Sequence, residues 1–263
     1  MALTQFGCRR RPVRLKAITC EVFARAVYLN AAFAPHVVDV ELVDKGLHDV
    51  AATLRETLQA RIDATPASAF DAIALVYGLC NRSLDGLRAR EIPLVVPRAH
   101  DCITLYLGSR ARYQAEFTGT PGTFYYSDEY LERGGTGGRV KGRIVALGST
   151  TPINDTYEEL VAKYGEDNAQ YLLEVLGSWQ RHYQRAAYID MPLGKSDDFE
   201  GRARRDAEER GWRFDLLRGD LNLIRRLVHG EWDDADFQVV QPGQCLVATY
   251  DERIVAAEPG PRP

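Results

Sequence analysis

The sequence predicts an α/β protein. A mostly parallel sheet, or a pair of them, is flanked by helices, either as two Rossmann-like lobes or as one doubly wound sheet with an insertion. Short apolar runs rich in β-branched residues alternate with longer stretches at helical spacing. Repeated strand–loop–helix units imply right-handed crossovers, and so parallel strands covered on both faces. A composition of 45% hydrophobic and 27% charged residues gives one large core or two modest ones in 263 residues.

"RLKAITC" is a first strand ending at Cys20, and "EVFARAVYLNAAF" follows as a helix with Val22, Ala26, Leu29 and Phe33 on one face. "HVVDVELVD" is a second strand; "VAATLRETLQARIDA" is a second helix with Leu54, Leu58 and Ile62 as its stripe. "FDAIALVYGLC" is a third strand running to Gly78 and Cys80. "SLDGLRAR" then suggests a short helix, capped by Asn81 or Ser83. "IPLVVP" is a fourth strand and "ITLYLGSRARYQAEF" a fourth helix.

The Gly- and Thr-rich stretch that follows includes "RGGTGGRVKG", read as a flexible turn or hairpin loop, since neither G-x-G-x-x-G nor G-x-x-x-x-G-K-[ST] is present. From Asn154 the alternation resumes. One or two helices reach Tyr183, broken at Gly165; "RAAYIDMP" and "WRFDLLRGD" are strands around the charged helix "DDFEGRARRDAEERG". "LNLIRRLVHGEW" is a helix, and "DFQVVQPG" and "QCLVATY" make a closing strand or hairpin. The expected layout is an N-terminal lobe over 15–120, a Gly-rich connection over 121–150, a C-terminal lobe over 151–250 and a disordered tail over 251–263.

A net charge of -4, with Lys and Arg scattered, gives no case for nucleic acid; "RRRPVR" reads as a solvated arm. No apolar stretch approaches the ~20 residues that cross a bilayer. The N-terminus lacks the apolar core of a secretory signal, and five cysteines do not form a disulfide pattern, so a reducing cytoplasm is the expected home.

Loops after parallel strands open on one edge of the sheet, where ligands of doubly wound folds bind. Cys20 ends the first strand, Cys80 the third, and His100 with Cys102 follow the fourth. Three thiolates and an imidazole suit tetrahedral zinc, and soft sulfur donors favour zinc or iron–sulfur clusters over harder cations. Cys102 falls at the start of a helix capped by Asp101, where the free N–H groups would lower a thiol pKa. Glu21 can stand in for Cys20, or substrate can complete a three-coordinate site. Against this, free cysteine is among the most buried residue types, so Cys20 and Cys80 also fit as small core residues, and H-x-C alone is a weak motif. Cys8 and Cys245 fall outside the set.

His48 and Asp49, in "KGLHDV", fall on the same edge and can line a substrate pocket, although Asp49 also suits a helix cap. Arg82 and Arg98 flank the thiols and suit an anionic substrate group, or a nearby acid. Asp190 and Asp220 end strands of the second half and would face the first lobe's site.

"LVYGLCNRSLDGLRA", "LVVPRAHDCITLYLGSRARY" and "PGTFYYSDEYL", preceded by "ITCEVF" and "KGLHDV", resemble the bacterial and archaeal domain of unknown function 1638, over Leu15 to Val247. The resemblance carries no activity; such proteins are met near corrinoid-dependent methyltransfer systems, an association only. Thiol-activating methyltransferases use zinc on H-x-C plus a further cysteine. There the second cysteine lies far downstream, whereas Cys80 and Cys20 lie upstream, so the similarity is of ligand type.

The expected function is therefore a metal-dependent enzyme, zinc on Cys20, Cys80, His100 and Cys102. It would act on a small substrate by thiol activation or methyl transfer, with a corrinoid or methyltransferase protein as candidate partner. A [4Fe–4S] cluster on the three cysteines, with His100 outside the ligand set, is the alternative. A non-catalytic metallocofactor carrier or accessory protein is the reading from another class.

Overall fold

Strand β1 (Arg14–Cys20) pairs in parallel with β2 (Val37–Val43) on one side and β3 (Ala72–Val76) on the other. The apolar run that suggested it is buried at Leu15, Ala17, Ile18 and Cys20, each worth roughly 1–3 kcal/mol on removal from water. In this computed structural model, which describes residues 13–49, 51–133, 161–162, 165–166 and 183–260, β3 pairs in parallel with β4 (Leu94–Pro97). The sheet closes with β8 (Phe237–Val240), antiparallel to β4, giving the order β2-β1-β3-β4-β8.

A second sheet, β5 (Thr123–Ser127), β6 (Arg185–Asp190) and β7 (Arg213–Arg218), is wholly parallel. The α/β class with parallel sheets flanked by helices is thus as expected. The chain leaves the first sheet after β4, builds the second, and returns through helix α7 (Asn222–Val228), which packs on β3, β4 and helix α1 (Ala24–Ala32). Helix α2 (Ala51–Asp63) buries Leu54, Leu58 and Ile62, the stripe its sequence predicts. The second core gathers Phe124, Tyr126, Tyr188 and Trp212 beneath helix α6 (Phe199–Arg210).

Four expectations need correction. No helix forms over Ser83–Arg90: the Gly86 and Ala89 N–H groups bond to Leu246 and Gln244 carbonyls, and Leu246 N–H to the Leu87 carbonyl. The segment runs alongside β9 (Gln244–Ala248), and its amides cannot serve a helix as well. The stretch read as one fourth helix is two, α3 (Cys102–Leu107) and α4 (Arg110–Gly119). They break at Gly108, whose φ of 68° ends α3 left-handed and where a Cβ would sit 2.6 Å from that of Asp220.

The tail expected to be disordered contains β10 (Val255–Pro259), antiparallel to β9. Strand β5 also falls inside the stretch read as a Gly-rich connection. "RGGTGGRVKG" beyond Arg133, and the helices expected between Asn154 and His182, lie outside the described residues apart from 161–162 and 165–166.

Helix α5 (Asp128–Glu132) leaves the C-terminal end of β5 and packs on a 3-10 turn, Glu21–Phe23, at the C-terminal end of β1. The C-terminal edges of β1 and β5 are therefore brought together, the position that parallel α/β folds use for binding.

Candidate functional site

Two loops at this edge lie against each other. Leu79 N–H donates to the Ala99 carbonyl at 2.8 Å, and Cys80 N–H to the His100 carbonyl at 2.9 Å. Gly78 fits only as glycine, because a Cβ there would stand 2.5 Å from the Asp101 Cα. Beyond this join the backbone turns left-handed at three successive non-glycine residues, Cys80 (φ 39°), Asn81 (φ 53°) and Arg82 (φ 63°). Each costs roughly 1–2 kcal/mol for an L-residue. The turn closes with Ser83 N–H bonded to the Leu79 and Cys80 carbonyls, both at 3.0 Å. Such strain persists only where surrounding contacts impose it, and it concentrates at functional positions.

The loop after β4 is fixed from its other side. Asp101 caps α3 as expected, its Oδ1 accepting the Ile103 and Thr104 N–H groups at 3.0 and 3.3 Å. Its Oδ2 accepts the Tyr113 hydroxyl at 3.1 Å.

Cys20, Cys80 and Cys102 are brought within electrostatic reach of one another. Cys20 and Cys102 are buried; Cys80 is partly exposed as a residue, but its thiol is enclosed. Burial pushes the Cys20 thiol up to about 12 and raises the other two as well, with Asp101 and the neighbouring sulfurs adding to the effect at Cys80 and Cys102. The lowered Cys102 expected from its place at a helix start is thus corrected: desolvation outweighs the helix.

Neighbouring backbone groups nevertheless favour the thiolate forms. Val22 serves Cys20, and Gly78 and Cys102 serve Cys80. Buried, protein-only thiols stay protonated here, whereas a soft cation would draw them into the thiolate form that these groups stabilise. Among the described residues, no three His, Cys, Asp or Glu side chains stand close enough as they are to grip a single ion.

The remaining sequence-derived candidates are dispersed. His100 is exposed, its ring 5.8 Å from that of Tyr113, which in turn stacks on Phe117. Arg82 is exposed and engages Asp85 at 2.6 Å and the Tyr250 hydroxyl at 2.8 Å. Arg98 is buried and clamps the C-terminal segment, donating to the Asp234 and Arg253 carbonyls and to Gln238 Oε1. His48 and Asp49 close a 3-10 turn, Lys45–Asp49, after β2, but their side chains lie outside the described residues. Asp220 reaches the first lobe, its N–H bonded to the Tyr106 carbonyl at 2.9 Å; Asp190 pairs with Lys195 at 2.6 Å.

Sequence reasoning missed Gly78, Tyr113 and Glu129. Gly78, at a strand end two residues before a cysteine, carried the one readable signal, a backbone approach that tolerates no side chain. An open cleft of about 600 Å³ among Asp63, Arg88, Arg90, Glu91, Gly243 and Gln244 lies beside the start of β4, at the opposite end of the strand from the thiols. The soft donors and the strained turn are at the other edge.

The family model described as "Protein of unknown function (DUF1638)" matches residues 42–228. That span holds Cys80, His100 and Cys102, whereas Cys20 precedes it. No curated protein and no solved structure matches the chain.

Proposed function

The chain belongs to the DUF1638 family, and because that description assigns no activity we propose, from the site itself, a metal-dependent enzyme centred on Cys20, Cys80 and Cys102. The observation that carries the reading is the convergence of three thiols at or just past the C-terminal ends of three parallel strands, one of them held by a left-handed turn. Zinc is the first candidate: three thiolates leave one position for a small substrate, the arrangement of catalytic rather than structural zinc. Bound there, the metal would supply Lewis acidity, holding a substrate thiol as thiolate for transfer, and methyl transfer is the specific version. The chain's own part is to bury the sulfurs, hold polar backbone of Val22, Gly78 and Cys102 near them, and keep water away.

A second reading, a [4Fe–4S] cluster, is favoured by the exposure of His100, which reduces the ligand set to cysteine alone. Metal and acid-labile sulfide analysis of full-length protein, purified anaerobically without added metal, separates the two. About one zinc per chain, lost in Cys80→Ser and in Cys102→Ser, is the expected result; iron with sulfide selects the cluster. Wild-type protein holding neither, or holding metal that both variants retain, overturns the proposal.

A further inference from the structure

The segment directly after Cys20, the last residue of β1, is held largely by the other lobe. Glu129, 2% exposed on α5, accepts the Arg25 N–H through Oε1 at 3.0 Å, where α1 begins. Its Oε2 is buried and makes no bond of hydrogen-bond geometry, although the Ala26 N–H lies near enough to influence the carboxyl. The Arg25 side chain turns back to the same helix, donating to Glu132 at 3.0 and 2.9 Å, and reaches the Gly194 carbonyl at 2.7 Å.

Glu21, directly after Cys20, receives Arg133 at 3.2 Å and the Lys45 N–H at 3.1 Å, and the Lys45 ammonium donates to the Tyr130 carbonyl at 3.1 Å. From the first lobe itself Tyr106 adds a second tie beside the Lys45 N–H, its hydroxyl bonded to the Val22 carbonyl at 3.0 Å. Most polar fastenings of Glu21–Arg25 therefore come from α5 and the residue after it. By contrast Cys80 and Cys102 are set by the Gly78–Asp101 join, within the first lobe.

We infer that Glu129 is a positioning residue for Cys20, through which the second lobe sets the placement of one thiol of the site independently of the other two. The consequence is an asymmetric site: two sulfurs are set within the first lobe alone, and the third, at the end of β1, is also tied to the second. This deepens the metal-centre reading, and matters for catalysis only if that reading holds. Its test does not depend on a metal. Burial keeps the Glu129 carboxyl protonated to about pH 7, so glutamine is the conservative replacement: it preserves the acceptor for Arg25 N–H and is neutral like the buried acid.

The experiment is alkylation of the full-length chain by iodoacetamide, with and without chelator, each cysteine followed by peptide mass spectrometry. In Glu129→Ala, Cys20 should alkylate about tenfold faster or more, with Cys80 and Cys102 at wild-type rates, and Glu129→Gln should restore protection of Cys20. Uniform acceleration of all three thiols, or none, overturns the inference. Should Glu129→Ala fail to fold, Glu132→Ala releases Arg25 from the same helix at a more exposed position; an unchanged Cys20 rate there also overturns it. Metal stoichiometry, measured separately, decides the underlying reading, so the two failures are distinguishable.

Discussion

The left-handed run Cys80–Asn81–Arg82 is the costliest local feature of the site, and nothing in "LCNRS" announces it, since none of the three is glycine and only asparagine tolerates that region well. Arg82→Gly should therefore be neutral or stabilising by up to about 1 kcal/mol despite losing an exposed ion pair, whereas Arg82→Val should destabilise by at least ~1 kcal/mol. Urea denaturation midpoints read both. Gly78→Ala drives a Cβ into the Asp101 backbone and should cost on the order of 2–4 kcal/mol in the same assay.

Glu129 makes a prediction in pH. Its carboxyl is raised by burial from 4.5 to about 7, so between those values the folded chain keeps a proton that the unfolded chain has released. Stability from this group is unpenalised below pH 4.5, falls as pH rises towards 7, and levels above it, by a total on the order of 3 kcal/mol. Glu129→Gln should flatten that slope; an equal slope in wild type and variant counts against the assignment.

Among elements, strands β3 and β4 were legible because buried parallel strands read as unbroken apolar runs, and both are buried at every residue. The elements misjudged owe their state to partners far along the chain. Val255–Pro259 is ordinary in composition and becomes a strand because β9 supplies the ladder and Arg98 fastens the preceding carbonyl of Arg253. Ser83–Arg90 has helical composition, but β9 claims its amides. Arg98→Lys should thus act at the C-terminus: a single ammonium cannot span Asp234, Arg253 and Gln238 as the guanidinium fork does. A loss of roughly 2–3 kcal/mol is expected, with hydrogen exchange quickening first in β9 and β10. Exchange accelerating equally in β1 and β3 would contradict this local role.

For the whole molecule, the edge on which the thiols meet was readable from strand order alone, because a residue just past a parallel strand has only one edge to occupy. What the one-dimensional pattern could not give was side-chain direction. His100 lies two residues from Cys102, yet Cys102 is buried and His100 faces outward beside Tyr113. A centre shared by three loops should also stabilise the fold by mass action. Zinc at a hundredfold excess over its dissociation constant is expected to raise stability by about 2.7 kcal/mol. The accompanying rise in Tm should vanish in Cys80→Ser; a rise of equal size in that variant would place the ion elsewhere.

The route of the chain has a consequence for biosynthesis. The first sheet is finished only when β8 docks on β4, and Phe237 lies 140 residues after Pro97. On the ribosome, β1 to β4 emerge long before that last strand exists, and the flank of β4 stays open while the second sheet is made. Such distant pairing slows folding and leaves a nascent edge in need of protection, so chaperone dependence during synthesis, rather than poor final stability, is where production of this protein should be most sensitive.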